Sequence, residues 1–88
     1  MADYSVSLAR SARKELERLP DQVANKILNK LEELAGNPRK VGVTKLHGQK
    51  NLWRLRVGDY RIVYSIDDAS RIVDVSIIRH RREVYRDL

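Results

Sequence analysis

The sequence predicts an α+β protein: an N-terminal strand, two antiparallel helices packed on a small antiparallel β-sheet, and a short C-terminal segment. Three observations carry this expectation. The first half of the chain shows helical periodicity interrupted by Pro20. The second half alternates apolar and polar residues with a period of two, between short turns. Each half therefore has an apolar face that needs a cover, and the other half supplies it.

The opening "DYSVSL" sets Tyr4, Val6 and Leu8 against Asp3, Ser5 and Ser7, the pattern of a half-buried strand. From Leu8 the apolar residues recur at Ala12, Leu16 and Leu19, with charged residues between them, as in an amphipathic helix. Pro20 stops that helix and suits the first position of another, where Asp21 complements the helix dipole. The second helix carries Val23, Ala24, Ile27, Leu28, Leu31, Leu34 and Ala35 on one side, with Gly36 as its terminator and Pro38 beyond.

After "KLHGQK" (Lys45 to Lys50) the period changes. "LWRLRV" places Trp53, Leu55 and Val57 on one face and Leu52, Arg54 and Arg56 on the other. Gly58 and Asp59 form a tight hairpin turn, and "YRIVYSI" then sets Tyr60, Ile62, Tyr64 and Ile66 against Arg61, Val63 and Ser65. "DDAS" turns the chain into a third strand, "RIVDVSII", with Val73, Val75 and Ile77 on one face. Successive strands with short turns imply an antiparallel meander, which the N-terminal strand joins at an unspecified place. With no repeat and no linker rich in Gly, Ser or Pro, residues 1–88 are expected to form a single domain.

At 88 residues the chain is too short for a deep core, so any site should be shallow and at the surface. The absence of cysteine removes disulfides, thiolate metal sites and cysteine nucleophiles, and fits a reducing compartment. No apolar stretch approaches the roughly 20 residues that cross a bilayer, and the start lacks the apolar run of a signal peptide. The expectation is a soluble cytoplasmic protein with no membrane partner. His47 and His80 are the only histidines, neither in metal-ligand spacing, and no Gly-rich phosphate loop is present. Neither metal nor cofactor is expected.

The formal net charge of +6 favours a polyanionic partner, nucleic acid or an acidic protein segment. Its distribution is more informative. Arg54 or Arg56 should approach Arg61 across the hairpin, and the third strand delivers Arg79, His80, Arg81 and Arg82 at its end. Spacing leaves two readings open: an anion site, or a solvated face whose arginines pair with Asp67, Asp68, Asp74 or Glu83 at about 0 to 1 kcal/mol each. Arginine neutralises phosphate well but is a poor acid or base, so proton transfer at such a site needs tyrosine, histidine or lysine. Tyr85, in a run of cations that favour its phenolate, is the candidate base. Trp53 and Tyr64 share their faces with aliphatic residues and read as core.

"KLHG", "LWRLRVGDYRIVYSI" and "IIRHRREVYRDL" taken together resemble the RelE branch of the RelE/ParE toxin superfamily, over nearly the whole chain. The resemblance implies a metal-independent, ribosome-dependent endoribonuclease that cleaves mRNA in the ribosomal A site. It also implies neutralisation by a cognate RelB-like antitoxin, with operator DNA reached only through the toxin–antitoxin complex. By position, Arg61 matches the arginine that contacts the scissile phosphate and Arg79 the one that stabilises the transition state. Tyr85 matches the tyrosine that stacks on a base and takes part in proton transfer. Arg54 and Leu52 fall where family members carry lysines, which leaves the general base open, with Lys45, Arg56 or His80 as substitutes and Arg81 as an RNA-backbone contact. Strict alternation would put Arg79 on the face of Val75 and Ile77, so a catalytic Arg79 requires a bulge or the strand's end to re-aim it. Alternatives are a ParE-like inhibitor of DNA gyrase and an inactive RelE-like co-repressor.

Overall fold

A computed structural model describes residues 3–48 and 51–80. The elements run β1 (Ser5–Leu8), α1 (Arg10–Arg18), α2 (Asp21–Gly36), β2 (Val43–Lys45), β3 (Trp53–Val57), β4 (Tyr60–Asp67) and β5 (Ile72–His80). The five strands form one sheet in the order β1-β5-β4-β3-β2, so β4 is central and β5 lies between it and β1.

The apolar periodicities become the core. Ala12 of α1 and Ile27, Leu31 and Leu34 of α2 pack on Leu55, Val57, Ile62, Tyr64, Ile66, Val73, Val75 and Ile78 of the sheet. Tyr64 is fully buried, and its hydroxyl donates to the Pro38 carbonyl at 2.7 Å, so the core's one interior phenol has its partner. Leu28, assigned from the sequence to the apolar side of α2, is instead 42% exposed.

The predicted meander is correct for β3, β4 and β5, which pair antiparallel. β1, whose place the sequence leaves open, pairs parallel with β5, Val6 opposite Val73 and Leu8 opposite Val75. A parallel neighbour requires a long crossover, and here everything from α1 to β4 lies between the two strands. β2 was not anticipated. Its three residues pair with β3, Thr44 opposite Arg54, and are too few to show alternation. Pro20 caps α2 from outside rather than opening it, and Gly36 lies within the helix, with Asn37 as the C-cap. Gly58 alone of the two central hairpin residues has positive φ, at 58°, the II′ arrangement whose twist matches the strands.

The end of the sheet away from that hairpin is tied by polar groups. Tyr4 Oη donates to Asp68 Oδ1 at 2.6 Å, and Arg39 grips both Asp68 oxygens at 3.1 and 2.8 Å. The bidentate guanidinium, with the tyrosine hydroxyl, pulls the Asp68 pKa down to about 2. Nearby, the Asn51 side chain exchanges hydrogen bonds with the Ile66 backbone, extending the ladder past the start of β3.

Candidate functional site

Strand registers decide which charged residues share a face. Arg56 of β3 stands opposite Arg61 of β4, which stands opposite Arg79 of β5. Since Val57, Ile62 and Ile78 point into the helix-covered core, these three arginines form a row across the other face, at the hairpin end. The next row along the same face is Arg54, Val63 and Ile77, also in cross-strand register. Arg54 thus extends the positive surface, and Val63, 6% exposed, gives the face an apolar floor.

Directly opposed residues bring their Cβ atoms to about 5 Å, at which like charges repel. Carboxylates would relieve such repulsion, and Arg56 and Arg61 of this row and Arg54 of the next make no ion pair among the described residues. Arg56 Nε only reaches the Gly58 carbonyl, at 3.3 Å. Arg61 is the extreme case. It is the only charged residue with 6% or less of its surface exposed among those described, and its Nη1 is buried without a hydrogen-bond partner. A guanidinium N–H withdrawn from water and left unmatched is costly, and an anionic oxygen at that position removes the cost.

Arg79 reaches this row because β5 carries a bulge. Val63 pairs with Ile77 and Tyr64 with Val75, so Ser76 is an extra residue. Val73 and Val75 face the core before it, Ile78 after it, and Arg79 is turned to the side of Arg61. The bulge lies three residues before Arg79 and turns it away from the face of Val75, on which strict alternation would have kept it. No local signal in "VSII" marks the bulge beyond the two consecutive isoleucines.

Not every sequence candidate joins the row. Lys45 lies opposite Trp53 on the helix-side face, toward the other end of the sheet, with its Nζ 5.9 Å from the Trp53 ring centroid and the Arg39 guanidinium at 5.4 Å. His80 stands opposite Tyr60, and their rings meet edge to face at 5.4 Å and 85°. That pair follows Ile62 and Ile78 on the helix-side face, so the register separates both Lys45 and His80 from the arginines. Arg81, Arg82 and Tyr85 lie outside the described residues. Among the described residues no three His, Asp or Glu side chains converge as a metal-ligand set. No helix is long and apolar enough to cross a membrane.

The helix pair lies on one face of the sheet and Arg54, Arg56, Arg61 and Arg79 on the other, and comparison with known proteins specifies the class that this arrangement belongs to. Residues 6–85 match the family model described as ParE toxin of type II toxin-antitoxin system, parDE. A curated relative named Toxin RelE, from Mycobacterium tuberculosis, is 33% identical over 84 residues, 94% of this chain and 87% of that protein. The RelE–RelB complex of Pyrococcus horikoshii superimposes with a TM-score of 0.78 at 28% identity, covering 90% of this chain and 96% of that one. The isolated Escherichia coli RelE toxin gives 0.78 at 26% identity, covering 97% and 99%. The chain belongs to the RelE/ParE superfamily of type II toxin–antitoxin toxins. Within it, this is a RelE-like toxin.

Proposed function

We propose that the protein is a ribosome-dependent endoribonuclease that cuts mRNA in the ribosomal A site, acts in the cytoplasm, and is held inactive by a RelB-like antitoxin. The observation that carries this reading is the buried, unpartnered guanidinium of Arg61 in register between Arg56 and Arg79. A diester phosphate supplies two oxygens that accept from such a fork, and no side chain among the described residues offers Arg61 Nη1 an acceptor.

In this reading the ribose 2′-hydroxyl attacks the adjacent phosphorus, forming the 2′-O–P bond and breaking the bond to the 5′-oxygen. The products are a 2′,3′-cyclic phosphate and a 5′-hydroxyl. Charge builds on the non-bridging oxygens during attack, and Arg61 and Arg79, approaching from neighbouring strands, neutralise it more strongly in the transition state than in the ground state. Arg54 and Arg56 hold the flanking backbone. With Lys45 and His80 on the other face, the proton of the 2′-hydroxyl falls to Tyr85, and a protonated group or water delivers one to the departing 5′-oxygen. Pairing with an antitoxin is supported by relatives solved as RelE–RelB complexes. Operator binding, in this reading, belongs to that complex.

The test is primer-extension mapping of mRNA on programmed ribosomes with the wild-type chain, Arg61→Ala and Arg79→Ala. Cuts in the A-site codon that disappear in both folded variants are the expected result. Intact mRNA with folded wild type would overturn the reading. The family model's description names the ParE toxin, and the alternative ParE-like reading, inhibition of DNA gyrase, would be revealed by trapped gyrase cleavage complexes in the same preparation.

A further inference from the structure

The two isoleucines that follow the bulge create an ambiguity which packing alone resolves poorly. If β5 ran without a bulge, Ser76 would oppose Val63, Ile77 would oppose Ile62, and Arg79 would move to Tyr60. Ile77 would then occupy the core position that Ile78 fills at 1% exposure, one isoleucine for another. A one-residue slip sends every later side chain to the opposite face. It would also take Arg79 away from Arg61 and so relieve the repulsion in the row. Core packing is therefore nearly neutral between the registers, and the juxtaposition of Arg61 and Arg79 does not by itself favour the observed one.

What distinguishes the observed register is polar. The Ser76 hydroxyl donates to the Val63 carbonyl at 3.2 Å, from the bulge to the strand it bulges away from. The carbonyl of Ser76 accepts the hydroxyl of Ser11, on the first turn of α1, also at 3.2 Å. The extra residue is thus held on one side by β4 and on the other by the helix that flanks β5. We propose that Ser76, braced by Ser11, is a positioning residue that selects the register in which Arg79 stands opposite Arg61. It touches no substrate, and acts through the arginine three residues on. Its catalytic consequence rests on the nuclease reading above, whereas its structural consequence does not.

Ser76→Thr keeps the hydroxyl and Ser76→Val replaces it with a methyl of nearly the same shape, so the pair isolates the hydrogen bond. Isotope-labelled full-length chains are examined for cross-strand nuclear Overhauser contacts of Arg61. The same proteins are assayed for single-turnover cleavage on programmed ribosomes and for perturbation of the Arg61 and Arg79 Nε–H signals by inorganic phosphate. Wild type and Ser76→Thr should pair Arg61 with Arg79. Ser76→Val should pair Arg61 with Ile78, lose the joint phosphate response, and cut at least tenfold more slowly at saturation with a half-saturating concentration within about twofold of wild type. Should Ser76→Val not fold, Ser11→Ala, changed only on the exposed helix, is expected to give a mixture of both pairings. Arg61 still paired only with Arg79 in Ser76→Val, or in Ser11→Ala when Ser76→Val is unfolded, overturns the proposal, as does a slipped register that cuts at the wild-type rate. A wild type that binds phosphate at both arginines but leaves mRNA intact, with Ser76→Val slipped, sinks the nuclease reading and upholds the positioning role.

Discussion

Arg61 and Arg79 stand directly opposite one another on β4 and β5, and Arg61 is buried with an unmatched guanidinium nitrogen. Two cations in cross-strand register, with Arg56 completing the row, concentrate positive charge where an anion between them would be favoured.

Replacing Arg61 with methionine, of similar reach and no charge, removes both the unmatched donor and the repulsion. Arg61→Met should raise the unfolding free energy by about 1 to 2 kcal/mol in urea titrations while abolishing mRNA cleavage. A variant less stable than wild type would mean that the guanidinium is already compensated.

Arg56 is exposed at the rim of the row and should act through the backbone phosphates alone. Arg56→Ala should weaken binding of a single-stranded RNA oligonucleotide similarly for all sequences. It should also make the plot of log affinity against log salt shallower by about 0.7, the value for one phosphate contact on a single strand. An unchanged slope would remove Arg56 from the RNA path.

The Tyr64 hydroxyl serves the core. Tyr64→Phe leaves the Pro38 carbonyl without its donor and should cost about 1 to 2 kcal/mol in unfolding free energy. Burial pushes the Tyr64 pKa from its ordinary 10.0 up to about 12, so the native state favours the neutral phenol. The stability linked to this group is complete below pH 10 and is lost as pH rises toward 12. In an absorbance titration of the phenolates, Tyr64→Phe should delete the most alkaline step.

Asp68 sets the acid limit by the opposite sign. Its pKa is held at about 2 by Arg39 and Tyr4, below the ordinary 3.8, so folding favours the carboxylate. Its contribution is present above about pH 4 and fades as pH falls toward 2. Asp68→Asn should be less stable than wild type in denaturation at pH 6, and the two should converge below pH 2. A difference that persists at pH 2 would assign the variant's defect to packing instead.

Much of this architecture is legible without coordinates. The stripe Ile27, Leu31, Leu34 and the alternation Leu55, Val57 and Ile62, Tyr64, Ile66 are local patterns, and each became the buried face expected of it. Arg56 and Arg61 could be brought together by counting back from the Gly58 turn, because a two-residue hairpin dictates register. Three residues such as Val43–Lys45 hold no periodicity, so β2 was invisible until its partner was known. Lys45 and His80, near the arginines in sequence, were separated from them by the side of the sheet on which their strand positions fall.

By itself the sequence determined the helix pair, the β3–β4–β5 meander, the positive charge and the resemblance to RelE-like toxins, since composition, period and motif are properties of neighbouring residues. Only the tertiary structure decided that β1 lies parallel beside β5, and that Ser76 bulges so that Arg79 turns from the core to join Arg61. Both depend on bonds between residues some 13 to 67 positions apart, Ser76 with Val63 and Ser7 with Asp74, which no local pattern encodes. With Ile77 and Ile78 interchangeable in the core, the face on which Arg79 stands is a choice made by the assembled sheet and the helix braced against it.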